Sequence, residues 1–67
     1  MKIEQVNEAI MSGKTVVHTH MGISAKYKIT GVITRYSAEK GWTYALELQD
    51  KSRSVVIAAI EETEVEE

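Results

Sequence analysis

Apolar residues in the first dozen positions recur with a helical period. Ile3, Val6, Ile10 and Met11 fall at i, i+3, i+7 and i+8, the spacing that gathers side chains on one face of an α-helix. Glu4 lies in the first turn, where a negative charge complements the helix dipole, and Lys14 follows the end. Ser12-Gly13 supplies the stop, because glycine takes the left-handed conformation beyond a helix without a Cβ penalty. Residues 2–12 therefore read as a short amphipathic helix, marginal alone and in need of a sheet to lie against.

After Gly13 the period changes to two. Lys14–His20 (KTVVHTH) is rich in β-branched residues, which suit a pleated surface. Met21-Gly22-Ile23-Ser24 reads as a turn, and Ala25–Tyr36 as a long strand in which Tyr27 and Ile29 alternate with Lys26, Lys28 and Thr30. Gly31 interrupts that alternation, and a glycine where parity is lost marks a bulge or sharp bend. Ser37–Gly41 is the next turn. Trp42, Tyr44, Leu46 and Leu48 then alternate with Thr43, Ala45, Glu47 and Gln49, giving one buried and one exposed face. On that parity Glu47→Ala is expected to be nearly silent. Asp50–Arg53 is a polar hairpin connection. Ser54–Ile60 (SVVIAAI) is apolar on both parities, the mark of a strand covered on both faces. Val65 is the one large apolar residue of the tail, which reads as a short edge strand or a frayed end.

One helix followed by four or five short strands with tight turns is an α+β domain with an antiparallel sheet. Strands this short hide their edges by curling, so an SH3-like or Sm-like barrel or curled sheet is the first expectation. A helix on an open meander is the second. Residues 1–67 read as a single domain, with the helix at 2–12, strands over 14–60 and an acidic tail at 61–67.

Size sharpens this picture. A chain of 67 residues buries only ~60% of its unfolded surface, so its stability is marginal without staples or partners. It has no cysteine, so disulfides and thiolate metal sites are excluded. Self-association is the remaining source of buried apolar area, and a homo-oligomer is expected. No apolar run approaches a membrane span. The N-terminus MKIEQVNEAI lacks a signal peptide's apolar core, and a cytoplasmic location is expected. The net charge of −2 conceals an uneven distribution: five of the ten acids lie in residues 61–67, leaving eight Lys/Arg against five acids in the body. Such a body can bind an anion, or its charges can simply be solvated.

His18-x-His20 is the one pattern resembling a ligand pair, since i and i+2 share a strand face. A zinc site needs a third ligand. With no cysteine and no other histidine this must be a carboxylate, of which Glu47 is one candidate. The simpler expectation is no metal and two solvated or hydrogen-bonded imidazoles near a subunit contact. Catalysis finds no support in a phosphate loop, a thiol or a recognisable nucleophile–base spacing, so neither an enzyme nor a cofactor is expected. A cationic stripe is expected instead. Lys14, His18 and His20 share one strand face, Lys26 and Lys28 lie on one face of the next strand, and Arg35 approaches the following loop. Trp42 shares parity with core leucines but opens its strand, and Tyr36 flanks the same loop. These rings are candidates to stack on a base or fill a partner's pocket.

The order of a short helix, a bent glycine-containing second strand, an alternating third, an apolar fourth and a short fifth resembles the Sm-like family. Gly31 stands where the Sm motif has its glycine. That resemblance implies ring formation and RNA binding. The family's Asp-x-apolar-Asn run is missing, however, from Arg35-Tyr36-Ser37-Ala38, so no RNA-binding residue carries over. A helix followed by Gly13-Lys14-Thr15-Val16 and a small sheet is also similar to small phage proteins that sequester nucleotide signals. This second likeness implies an accessory or inhibitor protein of a mobile element. The expected function is a non-catalytic, self-associating protein that captures a small anionic ligand (a nucleotide) or a protein partner through Lys14, His18, His20, Lys26, Lys28, Arg35, Tyr36 and Trp42. An Sm-like RNA binder is the alternative.

Overall fold

The structure, a computed structural model, describes residues 1–66; Glu67, the last residue of the acidic tail, lies outside them. A helix α1 (Ile3–Ser12) is followed by β1 (Thr15–His20), β2 (Ile23–Ser37), β3 (Gly41–Gln49), β4 (Val55–Ala59), a 3-10 turn (Ile60–Glu62) and β5 (Thr63–Val65). All pairings are antiparallel, in the order β4-β3-β2-β1-β5. The α+β expectation with a curled sheet is met, but the hydrogen-bonded ladder does not close into a barrel. β4 and β5 are its two ends, joined only through the 3-10 turn. Among the described residues no helix is long and apolar enough to cross a membrane.

The helix starts where Gln5 Oε1 accepts the Lys2 backbone N–H at 2.8 Å, satisfying one of the amides that a helix N-terminus leaves open. It ends at Gly13, whose φ of 66° is left-handed. There Gly13 N donates to Ile10 O at 3.2 Å and Lys14 N to Ala9 O at 3.0 Å. A Cβ at Gly13 would meet nothing within 4 Å, so the penalty for a side chain there is backbone strain alone. Gly13→Ala is expected to cost about 1 kcal/mol, read as a lower denaturation midpoint at unchanged slope.

The buried stripe of α1 is Val6 and Ala9, with Ile3 partly covered. Ile10 and Met11, expected on that stripe, are exposed. Ala9 takes their place because its small side chain allows a short helix to approach the sheet closely. Val6 and Ala9 join Val16, Leu46, Leu48, Ala58 and Ile60 in one core, with Tyr27, Ile29, Val56 and Val65 packed against it.

β1 and β2 are joined by two residues, Met21 (φ 52°) and Gly22 (φ 78°), a tighter turn than the four residues expected and one whose positive φ values match the twist of a hairpin. The register of β2 against β3 shifts between Ile29 and Gly31, where the sequence places a bend. The sheet face of Tyr27 and Ile29 thereby passes to Val32, which pairs with buried Leu46 but is itself 40% exposed. At the β3–β4 turn the Asp50 carboxylate accepts from Ser52 N (2.9 Å), Ser52 Oγ (2.8 Å) and Ser54 N (2.9 Å). The Ser52 hydroxyl first, then the Ser54 amide, holds that carboxyl below its usual pKa.

β4 corrects the sequence expectation most clearly. It is not covered on both faces: Ala58 is buried, but Val55 and Ile57 on the other parity are 52% and 51% exposed. The core lies against one face of the sheet only, so Ala58 is covered while Val55 and Ile57 stay about half exposed on the other.

Candidate functional site

The residues singled out in the sequence fall into three places. The first is the β1–β2 surface. Val16 pairs with Tyr27, Val17 with Lys26 and Thr15 with Lys28. His18 and His20 therefore share the face of buried Val16, while Lys26 and Lys28 project from the opposite face with Thr15 and Val17. The single cationic stripe does not form. The register of one short hairpin decides this, and it could not be read without the turn. The lysines are also engaged: Lys26 Nζ lies 3.1 Å from Glu66 Oε2 and Lys14 Nζ 3.8 Å from Glu8 Oε1, while Lys28 Nζ donates to Gly13 O. Lys26, Lys28 and Lys51 border a cavity of about 270 Å³, but Asp50 and Glu66 border it too.

The second place is the face carrying the histidines. Their rings lie nearly parallel, with centroids 6.2 Å apart and planes at 9°, as i and i+2 side chains on one strand face should. β5 folds back on β1 with His18 opposite Thr63, which brings the 3-10 turn beside His20. The His20 Nδ1 donates to Glu62 Oε2 at 2.9 Å, and this bond holds the Glu62 carboxyl below its usual pKa. Thr63 Oγ1 donates to Ala59 O at 3.1 Å and lies 3.4 Å from His18 Nδ1. Sequence reasoning missed Glu62, which read as part of a solvated acidic tail. The candidate it named, Glu47, accepts instead from Thr30 Oγ1 at 2.8 Å.

The third place is the hairpin between β2 and β3. Residues 34–40 and 42–44 are exposed. The inward parity that places Leu48 and Leu46 in the core continues to Tyr44 and Trp42, and opposite them to Thr34 and Tyr36. The hairpin outruns the core, so the same apolar face emerges uncovered. Tyr36 and Trp42 form a cross-strand pair with ring centroids 5.2 Å apart at 59°, and are 65% and 67% exposed. Lys40 lies in the turn, and Arg35 projects on the opposite face beside its pairing partner Thr43. The side-chain ion pairs among the described residues use Lys14, Lys26 and His20, and Arg35 and Lys40 enter none of them.

Comparison with known proteins finds no matching family model, no matching curated protein and no matching solved structure.

Proposed function

We propose that the chain is a non-catalytic binding protein of the cytoplasm that self-associates and captures a small anionic ligand of the nucleotide class, with the Tyr36–Trp42 pair as its stacking platform. The exposed aromatic pair carries this reading. Two rings inclined at 59° on a hairpin, largely in water, stabilise nothing in the isolated chain comparable to their area, whereas a planar base stacked on one of them recovers part of it. Lys40 in the adjoining turn supplies positive charge for the phosphate, while Arg35 projects from the hairpin's other face beside Thr43. The lysines of β1 and β2 are already engaged by Glu66, Glu8 and a helix-end carbonyl, which moves the site from that stripe to the hairpin. The non-catalytic part rests on chemistry. Among the described residues, the hydroxyl within hydrogen-bond distance of a histidine ring nitrogen belongs to Thr63, which is fully buried and donates its proton to Ala59 O.

Self-association rests on β4. Natural edge strands are protected by charge, proline or bulges. Val55–Ala59 has none of these along its length, while β5 at the other end carries Glu64. The occupant of the β4 edge is a second copy of this chain, because an uncharged apolar strand meets its own copy with no like-charge clash.

Trp42 is the chain's one tryptophan, so its fluorescence reports the site directly. Titration with cyclic and linear nucleotides, alongside a uridine- or adenine-rich oligonucleotide at two salt concentrations, should give saturable quenching by a nucleotide with a shallow salt slope. Tyr36→Ala, which keeps the reporter, should weaken binding about tenfold, the equivalent of one lost stacking contact. Steeply salt-dependent oligonucleotide binding without any nucleotide response would move the function to RNA. Silence towards both would overturn the reading.

A further inference from the structure

We infer that His18, His20 and Glu62 form a binding site for a single divalent transition-metal ion of the zinc class, which clasps β1 to the 3-10 turn between β4 and β5. This site lies apart from the hairpin and does not depend on the ligand proposed there.

The donor set is of the right kind. Two imidazoles and one carboxylate are a protein ligand set that zinc takes when one position is left open, and imidazole selects such ions over magnesium and calcium. One ligand atom from each residue falls within a group whose members all lie within 4.8 Å of one another. Bonds of ~2.0–2.1 Å at tetrahedral angles separate ligand atoms by roughly 3.3 Å, so the wider separations must contract, while His20 and Glu62, 2.9 Å apart, exchange their hydrogen bond for bonds to the ion. The movement falls to the exposed side chains of His20 and Glu62, which are free to turn, while half-buried His18 is the fixed member.

The surroundings support the same assignment. Metal-bound histidines commonly have their second ring nitrogen occupied by a neighbouring oxygen. Thr63 Oγ1 lies 3.4 Å from His18 Nδ1 and gives its own proton to Ala59 O. It is thus placed to accept from Nδ1, which leaves the Nε2 lone pair for a cation. Both histidines also border a cavity of about 290 Å³ with Ile23, Tyr27, Val56 and Ile57, which offers room for water or a small ligand beside them.

Placement gives the ion a structural consequence. Residues 18 and 20 lie on β1, and residue 62 lies in the segment joining the two ends of an unclosed sheet. An ion held by all three stabilises the folded state over the unfolded chain in proportion to its occupancy.

The test uses the full, tag-free chain with zinc alone as the probe, followed by native mass spectrometry, calorimetric titration and thermal melting. One ion per chain is expected, with a melting temperature raised by about 10 °C at a large excess of zinc over the dissociation constant. Magnesium should give no shift. His20→Ala and Glu62→Gln should each weaken zinc binding about tenfold or more. Circular dichroism of both variants should stay unchanged, since the two side chains are exposed and outside the core. His18→Ala serves as a third variant with the same expectation. Unchanged zinc affinity in folded His20→Ala and Glu62→Gln would place the ion elsewhere and overturn the assignment. So would a folded parent chain that takes up no zinc at concentrations many times its own.

Discussion

Leu46→Ala is expected to remove ~2–5 kcal/mol of stability, against a total of roughly 3–10 kcal/mol for a chain of this length. The variant should be partly or wholly unfolded at room temperature, as chemical denaturation will show. Leu46 is 0% exposed and stands in the centre of the sheet, paired with Val32 on one side and Ala58 on the other. Two of its neighbours are small, since Ala58 and Ala9 belong to the same core. Little nearby can move in to fill the void, which puts the expected loss towards the upper end of the range. Glu47→Ala is the comparison. Parity alone makes it silent, but the Thr30 hydroxyl donates to both Glu47 O and Glu47 Oε1 beside the β2 bulge. A loss of about 0.5–1 kcal/mol is therefore expected. A Glu47 variant less stable than the Leu46 variant would overturn the inward face assigned to β3.

If β4 is the self-association edge proposed above, Ile57→Lys is expected to leave a 7.5 kDa monomer. Ile57 is half exposed on the outer parity of an unprotected edge strand. A lysine there leaves the core untouched but places an unpaired charge against any strand added alongside. Burying such a charge is unfavourable by several kcal/mol, so the subunit dissociation constant should rise on the order of hundredfold or more. Light scattering over a wide concentration range measures this. A parent chain that already scatters as 7.5 kDa throughout would defeat both the prediction and the self-association it tests.

What the sequence revealed was whatever depends on neighbours along the chain. The helix, its glycine stop, the bend near Gly31 and the inward parity of Leu46 and Leu48 follow from local period and turn chemistry. Trp42 was legible as a continuation of the core parity. Its place at the start of the strand made exposure an alternative to burial, and the sequence could not decide between them, because that depends on how far the hairpin outruns the core. The pairing of β5 with β1 was also illegible, since Thr63–Val65 is too short to carry a pattern and lies in a run of acids. Glu62 beside His20 and Glu66 beside Lys26 both follow from that one pairing. The separation of the histidines from Lys26 and Lys28 depends on a register set by a two-residue turn that the sequence shows only as a broader loop.

The same β1–β5 pairing bears on how the chain reaches this state. β1, β2 and β3 each pair with the next strand along, so their hairpins close over short loops and can form early. β5 must return across almost the entire chain to place Val65 opposite Val16. Contacts of such separation carry the largest loop-closure entropy and are favourable only once the rest is in place. A four-stranded meander is thus the natural folding intermediate in time, if not in population. β5 then docks last, and with three residues it is the first segment to open again in local fluctuations of the native state.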